Sequence, residues 1–216
     1  MIQENNNIIE NSPKGITKEL INKLPLYRYD GEIEVVSSLA SISDAIKELQ
    51  EESLLGFDIE SQPSFKRGII HPPSLIQLAA QKTVYIFQLH ELKDMEIFTP
   101  LFENSKIAKA GVGINDDLLR LKRFGLFSES GFIEIAKITD QLVISNKGLR
   151  GLAAYLLGVR ISKNMQLSNW SQKELTHAQI VYAATDAWIS REIYLKLTQN
   201  NPLDSRLKKP ILNFQS

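Results

Sequence analysis

Only Gln81 and Lys82 separate two apolar, strand-like segments, Ser74 to Ala80 and Thr83 to Leu89. A link this short lets consecutive strands fold back on each other, so the pair is expected to form an antiparallel hairpin. Another strand, Leu54 to Glu60, precedes them across a loop carrying Pro63, Arg67, Gly68, Pro72 and Pro73. After Leu89 the rhythm changes to alternating helix and strand. A helix near Asp94 to Phe102 leads to a strand over Lys106 to Val112. A helix then runs from the Gly113 turn through Phe124, ended by Gly125. A strand over Phe132 to Ile138 and a helix over Leu149 to Leu157, closed by Gly158, follow. This order predicts an α/β fold, a mixed sheet of antiparallel and parallel strands flanked by helices on both faces.

The ends of the chain read differently. Residues up to about 25 are polar, with Asn5, Asn6 and Asn7 in a row and Pro13-Lys14-Gly15 after them, as in a loosely docked lead-in. Ile33 to Val36 reads as a short strand. Ser43 looks like the cap of a helix through Leu49, with Ile42, Ala45, Ile46 and Leu49 apolar. The last long helix is expected from Thr176, its cap, to Leu197. The division expected is a polar extension over 1–30, one functional domain over 31–200 and a tail over 201–216. A chain of 216 residues with 43% hydrophobic content suits one globular core.

Composition removes several classes of function. There are no cysteines, which excludes disulfides, zinc ribbons and thiol nucleophiles and fits a reducing cytoplasm. No apolar run reaches the roughly 20 residues that span a bilayer, and Met1 to Glu10 lacks a secretory pattern. The expectation is a cytoplasmic protein without membrane contact. With 25 basic and 25 acidic residues the net charge is zero, so a nucleic-acid partner gains no support from global charge.

Three short segments carry chemistry. In Leu54-Leu55-Gly56-Phe57-Asp58-Ile59-Glu60, alternate residues of a strand share a face. Leu55, Phe57 and Ile59 therefore point one way, and Gly56, Asp58 and Glu60 the other. Two carboxylates on one face repel each other, and a divalent cation with hard oxygen ligands relieves that repulsion. A strand running out into solvent accounts for the same residues. In Gly111-Val112-Gly113-Ile114-Asn115-Asp116-Asp117, a dinucleotide fingerprint fails because Asp116 stands where a third glycine belongs. At about 100° per residue, Ile114, Leu118 and Leu121 make the core stripe of a helix, with Asp117 on its flank and Asp116 on the wet side. Asp117 is the inward candidate, although both acids also suit a helix's first turn. Tyr182 and Asp186, four apart, share a helical face among Ala183, Ala184 and Ala187. An exposed pair on an amphipathic helix would look the same, but an Asp amid small apolar residues is costly to bury without a partner.

Taken together, these segments resemble the DEDDy-type 3′→5′ exonucleases of the ribonuclease H-like superfamily. The resemblance is nearest to the exonuclease domain of the Werner syndrome helicase. Phe57-Asp58-Ile59-Glu60, Leu75-Ile76-Gln77-Leu78, Lys109 to Ile114, Asn169-Trp170-Ser171 and Tyr182 to Ala187 carry it, over about residues 33 to 197. Tyr182, four before Asp186, fits the tyrosine subclass; the position where the sister group has His is Val181, and His177 does not fit.

The resemblance implies a ribonuclease H-like sheet and two Mg²⁺ or Mn²⁺ ions held by Asp58, Glu60, Asp117 and Asp186. It further implies that Tyr182 and Glu60 act catalytically on the attacking water, and that nucleic acid is the substrate, DNA ahead of RNA. Ribonuclease D-like RNA trimming and a noncatalytic nucleic-acid-binding module remain the alternatives, and a helicase supplied by a separate protein is compatible with either nuclease. Outside the five site residues, Lys66 and Arg67 are candidates for backbone contact. Arg120, Lys122 and Arg123 read as a solvated face, His71 and His90 lack ligand spacing, and Trp170 and Trp188 read as anchors rather than base platforms.

Overall fold

The computed structural model describes residues 15–64, 71–90, 92, 95–125 and 127–200. Six strands form one sheet: β1 (Glu32–Val36), β2 (Leu54–Ser61), β3 (Pro73–Ala79), β4 (Thr83–Gln88), β5 (Ala108–Gly111) and β6 (Phe132–Glu134). Their spatial order is β1-β4-β3-β2-β5-β6. The β3–β4 hairpin is antiparallel, as the two-residue link requires, and β3 pairs antiparallel with β2. β5 joins β2, and β6 joins β5, both in parallel, while β1 lies parallel to β4 at the far edge. The expected mixed sheet is present.

Seven helices appear among the described residues: α1 (Lys18–Lys23), α2 (Leu39–Leu49), α3 (Thr99–Phe102), α4 (Ile114–Phe124), α5 (Ile135–Gln141), α6 (Leu149–Leu152) and α7 (His177–Asn200). One face of the sheet packs Leu55, Phe57 and Ile59 of β2 against α2, α3 and α4 through Ile42, Phe102 and Leu118. The other packs under α6 and α7. The alternation along β2 thus sends Asp58 and Glu60 to the α7 side.

Several boundaries differ from expectation. The cap of α2 is Ser38, not Ser43: its hydroxyl accepts from the Ser41 amide, and Ser41 returns a bond to the Ser38 amide, so the helix starts earlier. The segment near Asp94 to Phe102 is a 3₁₀ turn, Glu96–Phe98, running into α3, because Pro100 suits a helix's first turn; Asp94 lies outside the described residues. The strand expected over Lys106 to Val112 shrinks to Ala108–Gly111. The larger correction is Phe132 to Ile138, where the strand stops at Glu134 and α5 begins. The Glu134 carboxylate accepts from the Ala136 amide and caps the helix. An apolar run of this length suits a strand, but Ile135, Ile138 and Thr139 are buried at helical spacing. The helix at Leu149 continues as a π turn, Ala153–Leu157, before Gly158 at φ 68°. α7 begins behind Thr176 as expected, with the Thr176 and Gln179 side chains capping each other's amides.

Lys109 of β5 is fully buried, yet its Nζ donates to the carbonyls of Leu101, Asn104 and Ile107, each at 2.9 Å. Burial pushes its pKa down to about 7. Three carbonyl acceptors nevertheless match the three N–H of the protonated form, so we take the ammonium as the species that ties α3 to β5.

Candidate active site

Asp58 and Glu60 leave the same face of β2, and Tyr182 and Asp186 face them from α7. What lets the helix come so close is Gly56. A Cβ there would sit 2.0 Å from the Ala187 carbonyl oxygen, so β2 and α7 touch backbone to backbone. Ala183, Ala184 and Ala187, all fully buried, keep the seam thin. Between Glu60 and Ser61 the pairing with β3 shifts register, which re-aims the end of the strand. Gln77, from the Leu75-Ile76-Gln77-Leu78 segment, lies directly across from Asp58 and is itself buried.

The carboxylates of Asp58, Glu60 and Asp186 converge: their ligand oxygens lie within 4.8 Å of one another. Asp186 is 7% exposed and the other two are half-buried. Burial raises the Asp58 pKa well above the usual carboxylate range, and the charges of Asp186, Glu60 and Asp117 add to it. Glu60 is raised by burial and then by Asp186 and Asp117. Asp186 is raised by burial, against which the Tyr182 hydroxyl donates a hydrogen bond. Tyr182 is pushed above its ordinary value by burial and by Asp186 and Glu60, so its hydroxyl keeps its proton. Its ring rests on the buried Trp170, centroids 5.9 Å apart.

Asp117 is the carboxylate that the structure does not bring into this cluster. It stands in the first turn of α4, half-buried, while Asp116 is exposed, which is the division of faces drawn from the sequence. Its field still reaches Asp58 and Glu60. Burial raises it to about 7, countered by Arg120 and reinforced by Asp116 and Glu134. Glu134 is a residue the sequence reading passed over. Its Oε1 accepts the Gly113 amide at 2.9 Å, pinning the left-handed turn, φ 80°, from which α4 and Asp117 depart. An acid at a strand-to-helix junction is the signal, hidden while that junction is read as continuous strand.

The other candidates stand further off. Lys122 pairs with Glu129 at 2.8 Å, and Arg123 is exposed, as a solvated face requires. Trp170 is buried and Trp188 packs on Tyr29 at 4.8 Å with Arg191 over its ring, so both are anchors. His71 and His90 do not join the carboxylate cluster. Lys66 and Arg67 lie outside the described residues. Asp58, Glu60, Tyr182 and Asp186 open onto a cavity of about 610 Å³ that Arg150 and Lys163 also line. No helix among the described residues is long and apolar enough to cross a membrane.

A cluster of this kind can do one thing well: gather positive charge. Three oxygens in a dry recess with raised pKa values fit a hard divalent cation, which supplies the counter-charge that the protein withholds.

Comparison with known proteins bears on this geometry. Residues 33–201 match the family described as 3'-5' exonuclease. The mouse bifunctional 3'-5' exonuclease/ATP-dependent helicase WRN is 34% identical over 193 residues, covering 82% of this chain and 13% of that protein. The chain therefore spans a minor part of that relative's length. In fold, it is similar to the Aedes aegypti Nibbler EXO domain, with a TM-score of 0.72 at 22% identity over 80% of this chain and 91% of that one. It is also similar to Escherichia coli RNase D, an exoribonuclease involved in structured RNA processing, with a TM-score of 0.68 at 16% identity over 82% and 48%.

Proposed function

Because the chain belongs to the 3'-5' exonuclease family, we propose that it removes nucleoside 5′-monophosphates from the 3′ end of nucleic acid, DNA ahead of RNA, with two divalent ions held by Asp58, Glu60, Asp117 and Asp186. The observation that carries this is the crowding of the Asp58, Glu60 and Asp186 oxygens within 4.8 Å in a buried recess. Asp58, whose charge meets all three other acids, would hold cations together with Glu60 and Asp186, and Asp117 would contribute from α4. Mg²⁺ or Mn²⁺ bound there supplies charge that activates water and stabilises the departing 3′ oxygen.

The protein's own groups set the direction of attack. Tyr182 keeps its proton, hydrogen-bonds Asp186 and lines the cavity beside it, so it orients the water as a donor or through its oxygen. Glu60, deprotonated when cations fill the cluster, would take the water's proton. The water oxygen bonds to phosphorus, the bond to the 3′ oxygen of the preceding nucleotide breaks, and the proton balance is completed by solvent. Trp170 under the Tyr182 ring and the backbone contact at Gly56 hold these groups still, and small misplacements at such centres are costly.

DNA is favoured by the 28% identity over 182 residues, 84% of this chain, to a relative named DNA polymerase I. RNA trimming is the second reading, supported by likeness of fold to RNase D. A helicase supplied by another protein would extend either activity into duplex regions, and the cysteine-free composition suits the cytoplasm. The test is degradation of 5′-labelled single-stranded DNA, recessed duplex and RNA in Mg²⁺, Mn²⁺ or EDTA. A ladder shrinking from the 3′ end, lost in EDTA and in Asp58→Ala, is expected; activity that survives either treatment refutes the metal account.

A further inference from the structure

The cavity in front of the carboxylates has a wall that precedes the family match, which begins at residue 33. Residues 15–29 cross the α6–α7 side of the domain as an anchored strap. Ile16 exchanges two hydrogen bonds with the Asn146 side chain, at 2.8 and 3.1 Å. Thr17 caps α1, and Ile21 of that helix is 6% exposed. Further on, Tyr27 donates to the Arg160 carbonyl and Arg160 donates to Pro25, at 2.8 and 2.9 Å. The Tyr29 amide then reaches the Thr185 hydroxyl at 3.0 Å, next door to Asp186.

Ile16, Lys18, Ile21 and Asn22 of this strap line the same cavity as Asp58 and Glu60. The cavity floor is acidic, whereas the strap and the segment facing it bring the cations Lys18, Arg150 and Lys163. Arg150 ties the two sides together: its Nη2 donates to Asn22 Oδ1 at 2.7 Å. Its Nε is shielded from solvent and has no hydrogen-bond partner among the described residues. A guanidinium has five N–H donors in a rigid fork, and among the described residues one neutral oxygen occupies one of them. The fork's natural complement is a pair of phosphate oxygens. A volume of about 610 Å³ falls in the size range of small-molecule pockets, roughly 300–1,000 Å³.

We propose that residues 16–22, with Arg150, are a specificity element. Arg150 and Lys18 bind the phosphodiester backbone behind the terminal nucleotide, Asn22 positions Arg150, and the strap limits the cleft to a single strand. The proposal rests on the exonuclease reading for what lies on the cavity floor. It concerns the part of the substrate that the metal site does not touch.

The experiment uses the full chain and two substrates. One is a 5′-fluorescein single-stranded oligodeoxynucleotide. The other is thymidine 5′-(p-nitrophenyl) phosphate, a small diester that reaches the carboxylates but has no second phosphate. Arg150→Ala and Lys18→Ala are expected to raise KM for the oligonucleotide about tenfold each, with kcat changed far less, so the oligonucleotide-to-ester ratio of kcat/KM falls. Each should also flatten the dependence of log KM on log salt by about 0.7, the single-strand slope per phosphate contact. Asn22→Ala should move KM in the same direction, add nothing to Arg150→Ala, and be rescued by Asn22→Asp, which keeps the acceptor.

Equal losses on both substrates would reduce the strap to packing and overturn the proposal, as would an unchanged salt slope in Arg150→Ala. Equal affinity of the wild type for a blunt duplex and a single strand, by fluorescence anisotropy, overturns the single-strand restriction. If the wild type cleaves neither substrate, the exonuclease reading fails. Anisotropy then decides the strap alone: tenfold weaker strand binding by Arg150→Ala supports it, and unchanged binding refutes it.

Discussion

Stripping divalent metal should make this protein less stable as the solution is brought from pH 5 to pH 6.5. A carboxyl whose pKa is raised on folding binds more protons folded than unfolded between its two values, so unfolding free energy falls as pH rises through that window. Asp117 goes from 3.8 to about 7, so at 1.36 kcal/mol per pH unit it alone removes about 2 kcal/mol between pH 5 and 6.5. Asp58, Glu60 and Asp186 shift in the same direction and act in the same sense. The opposing titration of Lys109, lowered to about 7, favours the fold only as pH rises beyond that value. At about 2–4 °C per kcal/mol for a chain of this size, Tm in EDTA should drop by about 4–8 °C across the window. Saturating Mn²⁺ should reverse the slope, because binding needs the carboxylates deprotonated and adds about 2.7 kcal/mol at a hundred times Kd. Asp58→Asn should raise Tm in EDTA at pH 6.5 and abolish the response to Mn²⁺. Differential scanning fluorimetry at matched ionic strength reads all three. A Tm in EDTA that is flat or rises from pH 5 to 6.5 would refute the crowded-carboxylate account.

Other perturbations separate the roles of single residues. Tyr182→Phe should lower kcat about 100-fold while calorimetric Mn²⁺ binding stays near wild type; loss of binding would make the tyrosine a ligand support instead. Asp117→Ala should cost activity heavily, whereas Asp116→Ala, on the wet face, should stay within about twofold; the reverse order would refute the helical-face assignment. Lys109→Met removes the ammonium donor from the carbonyls of Leu101, Asn104 and Ile107 and should cost about 3 kcal/mol in urea unfolding, with activity per folded molecule retained. Gly56→Ala should cost about 1–3 kcal/mol and lower activity about 100-fold by displacing α7; a variant of normal activity would show the seam to be compliant.

How much of this was legible beforehand depended on whether a residue's job was local. Gln81-Lys82 dictates a hairpin without reference to anything else, and Asp58 with Glu60 share a face because strands alternate. The face of Asp117 followed from helical spacing alone, and Tyr182 with Asp186 from a separation of four. The failures came where tertiary partners decide. Ser43 is a plausible cap, but the Ser38–Ser41 exchange wins one turn earlier. Ile133 to Ile138 is β-branched enough to pass for strand, until Glu134 turns its carboxylate onto the amide of Ala136 and starts a helix. Nothing local in Asn22 or Arg150 announces that they meet across 128 positions of sequence. The polar composition up to about residue 25 suggested a mobile or loosely docked lead-in; residues 1–14 lie outside the described residues, while Asn146, distant in sequence, ties down Ile16.

The contact at Gly56 has one more consequence. Because β2 and α7 meet through main-chain atoms, the gap between Asp58 and Asp186 is gauged by two rigid elements rather than by side chains that could swell apart. With ions bound as proposed, such a gauge would discriminate by ionic radius. Magnesium binds oxygen at about 2.0–2.1 Å and calcium at about 2.3–2.6 Å, and only side-chain torsions remain to absorb the difference. In the proposed metal site, a glycine that touches no ligand would thereby help to set which ion fits.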